Sequence, residues 1–392
     1  MSNQHQPGTG KSPWITPFNV VTTIIVIIGI YLTYLRFTGG LAAVTNLDDN
    51  YPWGIWISFD LLCGVALAAG GYTTGAACYI FGIHKYHSAV RPAVLTAFLG
   101  YALVVFALHY DVGQPWRLAY PIFVQQGTTS VLFEVGLCVF LYLTVLFLEW
   151  LPAPLEWLKM RRIRNIMVRL TLVLTIFGVI LSTMHQSSLG ALFLLLPSKM
   201  HPLWYSTHIP IYFFVSSMFA GLSMVIFEST LSHRWLHHKM DQDHLAGSSH
   251  VTFGFAKAAA WIMAGYFFIK LFGVVLNDNW AYLNSFYGFI FMLEMLGFVA
   301  LPAALYARGV RTRNVRMIRW TAALAVLGIV FNRFNVSLVA YNYHLPSDEK
   351  YFPHIYEIGV TIFVVTLGLI VFKFVSTRMP ILYEHPDYKG SH

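Results

Sequence analysis

Ten stretches of twenty or more predominantly apolar residues constrain this chain more than any other feature. They run over about 17–37, 54–83, 91–111, 130–150, 165–184, 208–230, 251–276, 286–307, 316–339 and 355–377. A helix of that length crosses the hydrocarbon of a bilayer. In lipid the backbone must satisfy its own hydrogen bonds, which leaves helices as the form such runs take. The sequence therefore reads as an all-α polytopic membrane protein of about ten transmembrane helices. Its 57% hydrophobic and 11% charged content lies outside the range of soluble globular chains. The apolar piece Leu189–Leu196 is too short to span and reads as an interfacial or re-entrant segment. The hydrophilic connection Arg234–His250 reads as a pivot between two four-helix bundles, spans two to five and six to nine, with the first and last spans peripheral. No internal repeat is visible that would prove the pairing. The chain reads as one integral membrane domain over 1–392, with a polar tail at 1–16, helices within 17–377 and a second tail at 378–392. The first apolar run has no small-residue cleavage site and reads as a retained span.

A net charge of +8 suits nucleic acid in general, but its placement here points to topology. One set of connections carries clusters such as Lys159, Arg161, Arg162, Arg164 and Arg169, or Arg308, Arg311, Arg313, Arg316 and Arg319. The opposite set carries only Arg36, Arg117, Lys199 and Lys350. Basic residues concentrate on the cytoplasmic side of membrane proteins, so both termini are expected in the cytoplasm, with lipid rather than nucleic acid as the surrounding partner. Cys63, Cys78 and Cys138 all fall inside apolar spans, with no CxxC pair and no set of four, which argues against an iron–sulfur cluster held by this chain. The histidines 233, 237, 238, 244 and 250 lack compact ligand spacing, and no metal site is expected there.

Ionisable residues inside the spans carry the functional signal, because a charge in hydrocarbon is costly unless paired, protonated or facing a wet cavity. Asp60 lies in YPWGIWISFD, about six residues into the second span and so roughly 9 Å below its boundary. His109 and Asp111 end the third span in HYDVGQPW; Glu134 lies roughly 6 Å into the fourth, after TSVLF. His185 closes the fifth span in STMHQSSLG; Glu294 lies in the outer half of the eighth and Arg333 near the outer end of the ninth. All share one side of the membrane. Together they read as a polar pocket on the outer side, with Arg333 the counter-charge to Asp60, Asp111 or Glu134. Histidine and carboxylates exchange protons near neutral pH, which suits a ligand whose redox change moves protons; a quinone is the membrane-soluble candidate. Trp53, Asp60, His109 and His185 are its expected contacts, and Asp60, Asp111, Glu134, His185 and Arg333 the expected reactive set. Each has a structural alternative: a histidine bonded to a backbone carbonyl, a carboxylate in a salt bridge or at a helix end. Glu149 and Glu228 read as interfacial, and Lys270 as a snorkelling side chain.

A b-type haem needs histidines at matched depth on facing helices. His109, His185 and His208 are the only ones near spans, and no pair of mid-bilayer histidines lies on each of two helices, so no haem is expected. A secondary transporter would show broken helices meeting at mid-membrane, whereas the polar residues here gather toward one face.

PWGIWISFD at 52–60, DVG at 111–113, SVLFE at 130–134, MHQSSLG at 184–190 and HPLW at 201–204 together resemble the NrfD/polysulfide-reductase membrane-subunit family, and within it the integral membrane subunit of periplasmic NiFe hydrogenases. The similarity runs over most of the chain. It implies an anchor of a multi-subunit respiratory enzyme in the bacterial inner membrane. Such an anchor binds menaquinone or ubiquinone near the outer face, carries no haem or iron–sulfur cluster, and exchanges electrons with a ferredoxin-like iron–sulfur subunit docked there. The implied catalytic partners are the large and small subunits of a NiFe hydrogenase; the family also serves polysulfide, tetrathionate and nitrite reductases. Asp60, Asp111, Glu134 and His185 fall within matched motifs, and Arg333 in a less exact one.

Overall fold

The computed structural model describes residues 16–236, 240, 242–383 and 388. Among them ten helices are long and apolar enough to cross a membrane. We label them α1 (Pro17–Gly39), α2 (Trp56–Ile80), α3 (His84–Asp111), α4 (Val131–Trp157), α5 (Arg161–Leu194), α6 (Ile209–Trp235), α7 (Gln242–Leu276), α8 (Phe286–Arg311), α9 (Val315–Val339) and α10 (Ile355–Arg378). Their ends follow from local chemistry. Thr16 Oγ1 accepts from Asn19 N at 3.2 Å ahead of Pro17, whose missing N–H costs nothing at a first turn. α1 stops at Gly40, which takes φ 81°. Asn314 caps α9 through Met317 N at 3.0 Å, and His354 with Glu357 forms a reciprocal cap on α10.

Helices α2–α5 pack around one another, as do α6–α9, while α1 and α10 pair and lie against α2 and α3. The two bundles run in the same order and direction and meet where α6 crosses α2 and α5. At the α2–α6 crossing a Cβ on Gly221 would stand 2.4 Å from Gly70 N, so the two backbones touch. α2 is interrupted there by a tight turn at Ala68–Ala69. Ala69 N bonds to Ala66 O instead of the carbonyl four residues back, and the carbonyl of Val65 accepts from Gln186 Nε2 of α5 at 2.9 Å. This single interruption is closed by protein rather than open to a cavity.

Three sequence expectations change. Leu189–Leu196 is no re-entrant segment: α5 continues unbroken to Leu194, and His185 lies well inside it rather than closing it. The polar residues that suggested an end are absorbed by neighbouring helices. The connection after α6 is shorter than expected, since helix resumes at Gln242; residues 237–239 and 241, with His237 and His238, lie outside those described. Glu228 is buried between α3 and α6, where Thr96 Oγ1 donates to it at 2.5 Å, and is not interfacial.

At the arginine-rich end the buried Glu156 accepts from Arg91 at 2.8 and 2.9 Å and from Arg164 Nε at 3.1 Å. Arg91 also donates to Pro380 O at 2.8 Å, and Leu382 is buried, so the chain after α10 folds back onto this end.

Candidate functional site

At the arginine-poor end the PWGIW segment is first a structural device. Trp53 Nε1 donates to Ser337 O at 3.0 Å and its ring lies 4.6 Å from that of Tyr341. Gly54 leaves room for Tyr351, whose hydroxyl accepts from Ile55 N at 3.1 Å and donates to Glu357 Oε2. Glu357, fully buried, also accepts from Asn46 N at 2.9 Å and His354 N at 3.0 Å. One turn deeper α2 is π-helical over Trp56–Leu61, a widened form that recurs at functional sites. Asp60 lies on it, buried, and accepts from Thr361 of α10 at 2.9 Å. Cys63 Sγ donates to Ser58 O at 3.2 Å within the same turns.

The other predicted residues each meet a different helix. Asp111 ends α3 with Oδ1 buried and unbonded, beside the carbonyls of Tyr110 and Val112, which take hydrogen bonds from Arg36 of α1 at 2.6 and 2.9 Å. Glu134 accepts from Ser188 Oγ of α5 at 2.6 Å and is half-buried. His185, one turn from Ser188, is fully buried. Its Nδ1 faces Leu181 O at 3.0 Å; a carbonyl only accepts, so Nδ1 carries the proton and Nε2 accepts from the Tyr101 hydroxyl at 2.5 Å. His109 likewise donates from Nδ1 to Val105 O at 2.8 Å and stays half-buried. The structure thus brings Glu134 and His185 onto adjacent turns of the α4–α5 contact. Asp60 and Asp111 stay apart from them, and both nitrogens of His185 are taken.

Arg333 is not the counter-charge expected for Asp60, Asp111 or Glu134. It is buried in the α6–α9 bundle, donating to Asn332 Oδ1 at 2.8 Å, Ser216 Oγ at 2.9 Å and Phe213 O at 3.2 Å, with its guanidinium 3.9 Å from the Phe213 ring centre. The carboxylate of that bundle is Glu294, on a π-helical segment over Leu293–Ala300. It is fully buried and accepts from Asn332 Nδ2 at 2.7 Å, Asn335 Nδ2 at 2.7 Å and Trp204 Nε1 at 2.9 Å. Lys270 does not snorkel; it is buried, 3.9 Å from Glu294 Oε1 and over the rings of Tyr212 and Phe291. A small cavity of about 10 Å³ on this side is lined by Lys270, Arg333, Asn332, Trp204, Tyr212 and Tyr266 among others. Arg333 is the only predicted site residue that reaches it.

Sequence reading singled out Glu294 but missed it as a hub, together with Asn332, Asn335, Trp204 and Glu357. One signal was available: Asn332 and Asn335 are three apart and so share a helix face inside an apolar span. The HPLW segment supplies Trp204 and also His201, which is buried in the α5–α6 connection among the rings of Trp204, Tyr282, Tyr287 and Tyr343. Burial there pushes its imidazole down to about 4.

Ten apolar helices around buried charge define a multi-pass membrane protein, and comparison with known proteins gives its family. The NrfD polysulphide reductase family matches residues 43–343, and the chain belongs to that family. It is 32% identical to the probable Ni/Fe-hydrogenase 2 b-type cytochrome subunit of Escherichia coli, over 97% of this chain and 96% of the relative. To the menaquinone reductase integral membrane subunit of Nitratidesulfovibrio vulgaris it is 28% identical, over 92% of this chain and 90% of the relative. A further protein from N. vulgaris is 63% identical over 98% of this chain and 99% of its own length. The named relatives are membrane subunits of respiratory oxidoreductases.

Proposed function

We propose that this chain is a quinone-reactive anchor subunit that passes electrons between an iron–sulfur subunit docked on its arginine-poor face and the quinone pool, with a NiFe hydrogenase as the catalytic partner. Two electrons and two protons convert one quinone to quinol. The reaction is assigned to the arginine-poor end of α3–α5. The observation that carries this is Glu134: a half-buried carboxylate one turn inside the bilayer end, held by Ser188 at 2.6 Å and by no cation within 4 Å among the described residues. Such a group takes and releases a proton beside a carbonyl that becomes a hydroxyl. His109 on α3, whose Nδ1–H is held by Val105 O, offers Nε2 as an acceptor to a quinol hydroxyl, and Trp53, Asp60 and Asp111 complete the arginine-poor end. The menaquinone reductase relative supports a quinone as substrate, and the hydrogenase relative supports the partner. The arginine bias supports cytoplasmic termini in a bacterial inner membrane, so that the quinone end faces outward.

The test is titration of the purified complex with a fluorescent quinol analogue. Saturable quenching, weakened at least several-fold by Glu134→Gln and by Asp60→Asn, is expected; no quenching by an intact complex would sink the assignment.

The b-type cytochrome name of one relative raises haem. An axial histidine presents a free nitrogen to iron while its other nitrogen is bonded. His185 presents none, since Tyr101 holds Nε2, so it does not fit as an axial ligand and no electron step is routed through haem. A reduced-minus-oxidised spectrum of the purified subunit, expected to lack a haem band, checks this.

A further inference from the structure

Around Lys270 and Arg333 the α6–α9 bundle sets two buried basic side chains against one acidic one. Lys270 and Arg333 are both buried, and Glu294 is the only carboxylate within 4 Å of either among the described residues. Glu294 accepts at Oε2 from Trp204 and Asn335 and at Oε1 from Asn332, with Lys270 Nζ 3.9 Å from Oε1. Across the helices packed on this cluster, the carboxylate of Asp60 on α2 is turned to Thr361 of α10. The groups from α6 are Phe213 O and Ser216 Oγ, both neutral. The balance is two cations to one anion.

Neither cation is fully bonded. Arg333 Nε is buried with no hydrogen-bond partner. The Lys270 ammonium carries three N–H donors, against which the structure sets one ion pair at 3.9 Å and two ring faces. Both line the cavity of about 10 Å³. A buried, incompletely paired charge costs several kcal/mol, and the cavity is the one place at which both can be satisfied together. Its volume admits a single water-sized occupant in direct contact with the walls. Aromatic ring edges line the rest of the wall, where Trp204 Nε1 is already given to Glu294 and the Tyr212 hydroxyl to Ile269 O. We propose that this cavity is a binding site for a small inorganic monoanion of the halide class, held between Lys270 and Arg333. This is independent of the quinone assignment, which concerns the other bundle.

The experiment is equilibrium binding of radiolabelled chloride to the purified complex in lipid nanodiscs prepared in gluconate. About one saturable site per chain is expected, competed by bromide and nitrate and not by gluconate. Lys270→Met removes the excess charge while keeping the stem's volume, and should abolish saturable binding while helicity and elution volume stay unchanged. Arg333→Gln provides a second variant should Lys270→Met fail to fold. No saturable chloride in the folded wild type, or unchanged binding in either folded variant, overturns the site.

Discussion

A β-carbon at Gly54 would fall 2.3 Å from the Tyr351 hydroxyl and 2.9 Å from Glu357 Oε2. Gly54→Ala must therefore push Tyr351 off the buried Glu357. We expect a loss of about 1–3 kcal/mol, read as a lower Tm of the purified complex, with an apolar surface nearby otherwise unchanged. His201 gives a pH signature. Its folded pKa of about 4 lies below the free value near 6.5, so folding binds fewer protons than the unfolded chain does. Its contribution is whole above about pH 6.5 and is lost as pH falls toward 4. His201→Gln should flatten Tm against pH over that window; an unchanged slope would show that another group sets it. Residue identity alone reveals where a carboxylate enters an apolar run, which is why Asp60 and Glu134 could be found and their depth estimated. It does not reveal the partner. Ser188 lies 54 positions from Glu134 and Thr361 lies 301 from Asp60, and nothing local distinguishes these hydroxyls from the many others on apolar helices.

Helix positions were legible, since runs of lipid-compatible length ended by Pro, Gly, Asn or Asp leave few choices. α5 is the instructive exception. Its MHQSS segment looked like an end because the apolar pattern fails there, yet His185, Gln186 and Ser188 find Tyr101, Val65 O and Glu134 on three other helices. Satisfied polar groups do not interrupt a helix in lipid; only unsatisfied ones do. Gln186→Leu should strip the Val65 carbonyl of its partner and cost about 1–3 kcal/mol, visible as faster hydrogen exchange confined to the middle of α2. At the opposite end Glu156→Gln leaves Arg164 buried against a neutral group. Breaking such a pair costs about 3–5 kcal/mol, and we expect little assembled complex in the membrane fraction, whereas Arg91→Lys, whose head is partly exposed at 22%, should be milder.

For the molecule as a whole, the two bundles repeat one direction of travel, so the loops joining α1 to α2, α3 to α4, α5 to α6, α7 to α8 and α9 to α10 share one face. Reporter fusions after residue 378 should be active in the cytoplasm and fusions in the 112–130 loop outside it; the reverse pattern would turn the proposed quinone end inward. The bundle arrangement was foreseen from span order alone. The separation of charge between bundles was not, because it depends on which face each helix turns to its neighbours, and apolar spans with weak amphipathicity leave that face open in the sequence.

The backbone contact between Gly70 and Gly221 has a genetic corollary. A larger residue at a crowded position is commonly rescued by a smaller one opposite it. Here each glycine lies against the other's main chain, and nothing smaller than glycine exists. A screen for revertants of Gly221→Ala should therefore return the original codon or changes at distant helices that shift the crossing, and never a compensating substitution at residue 70.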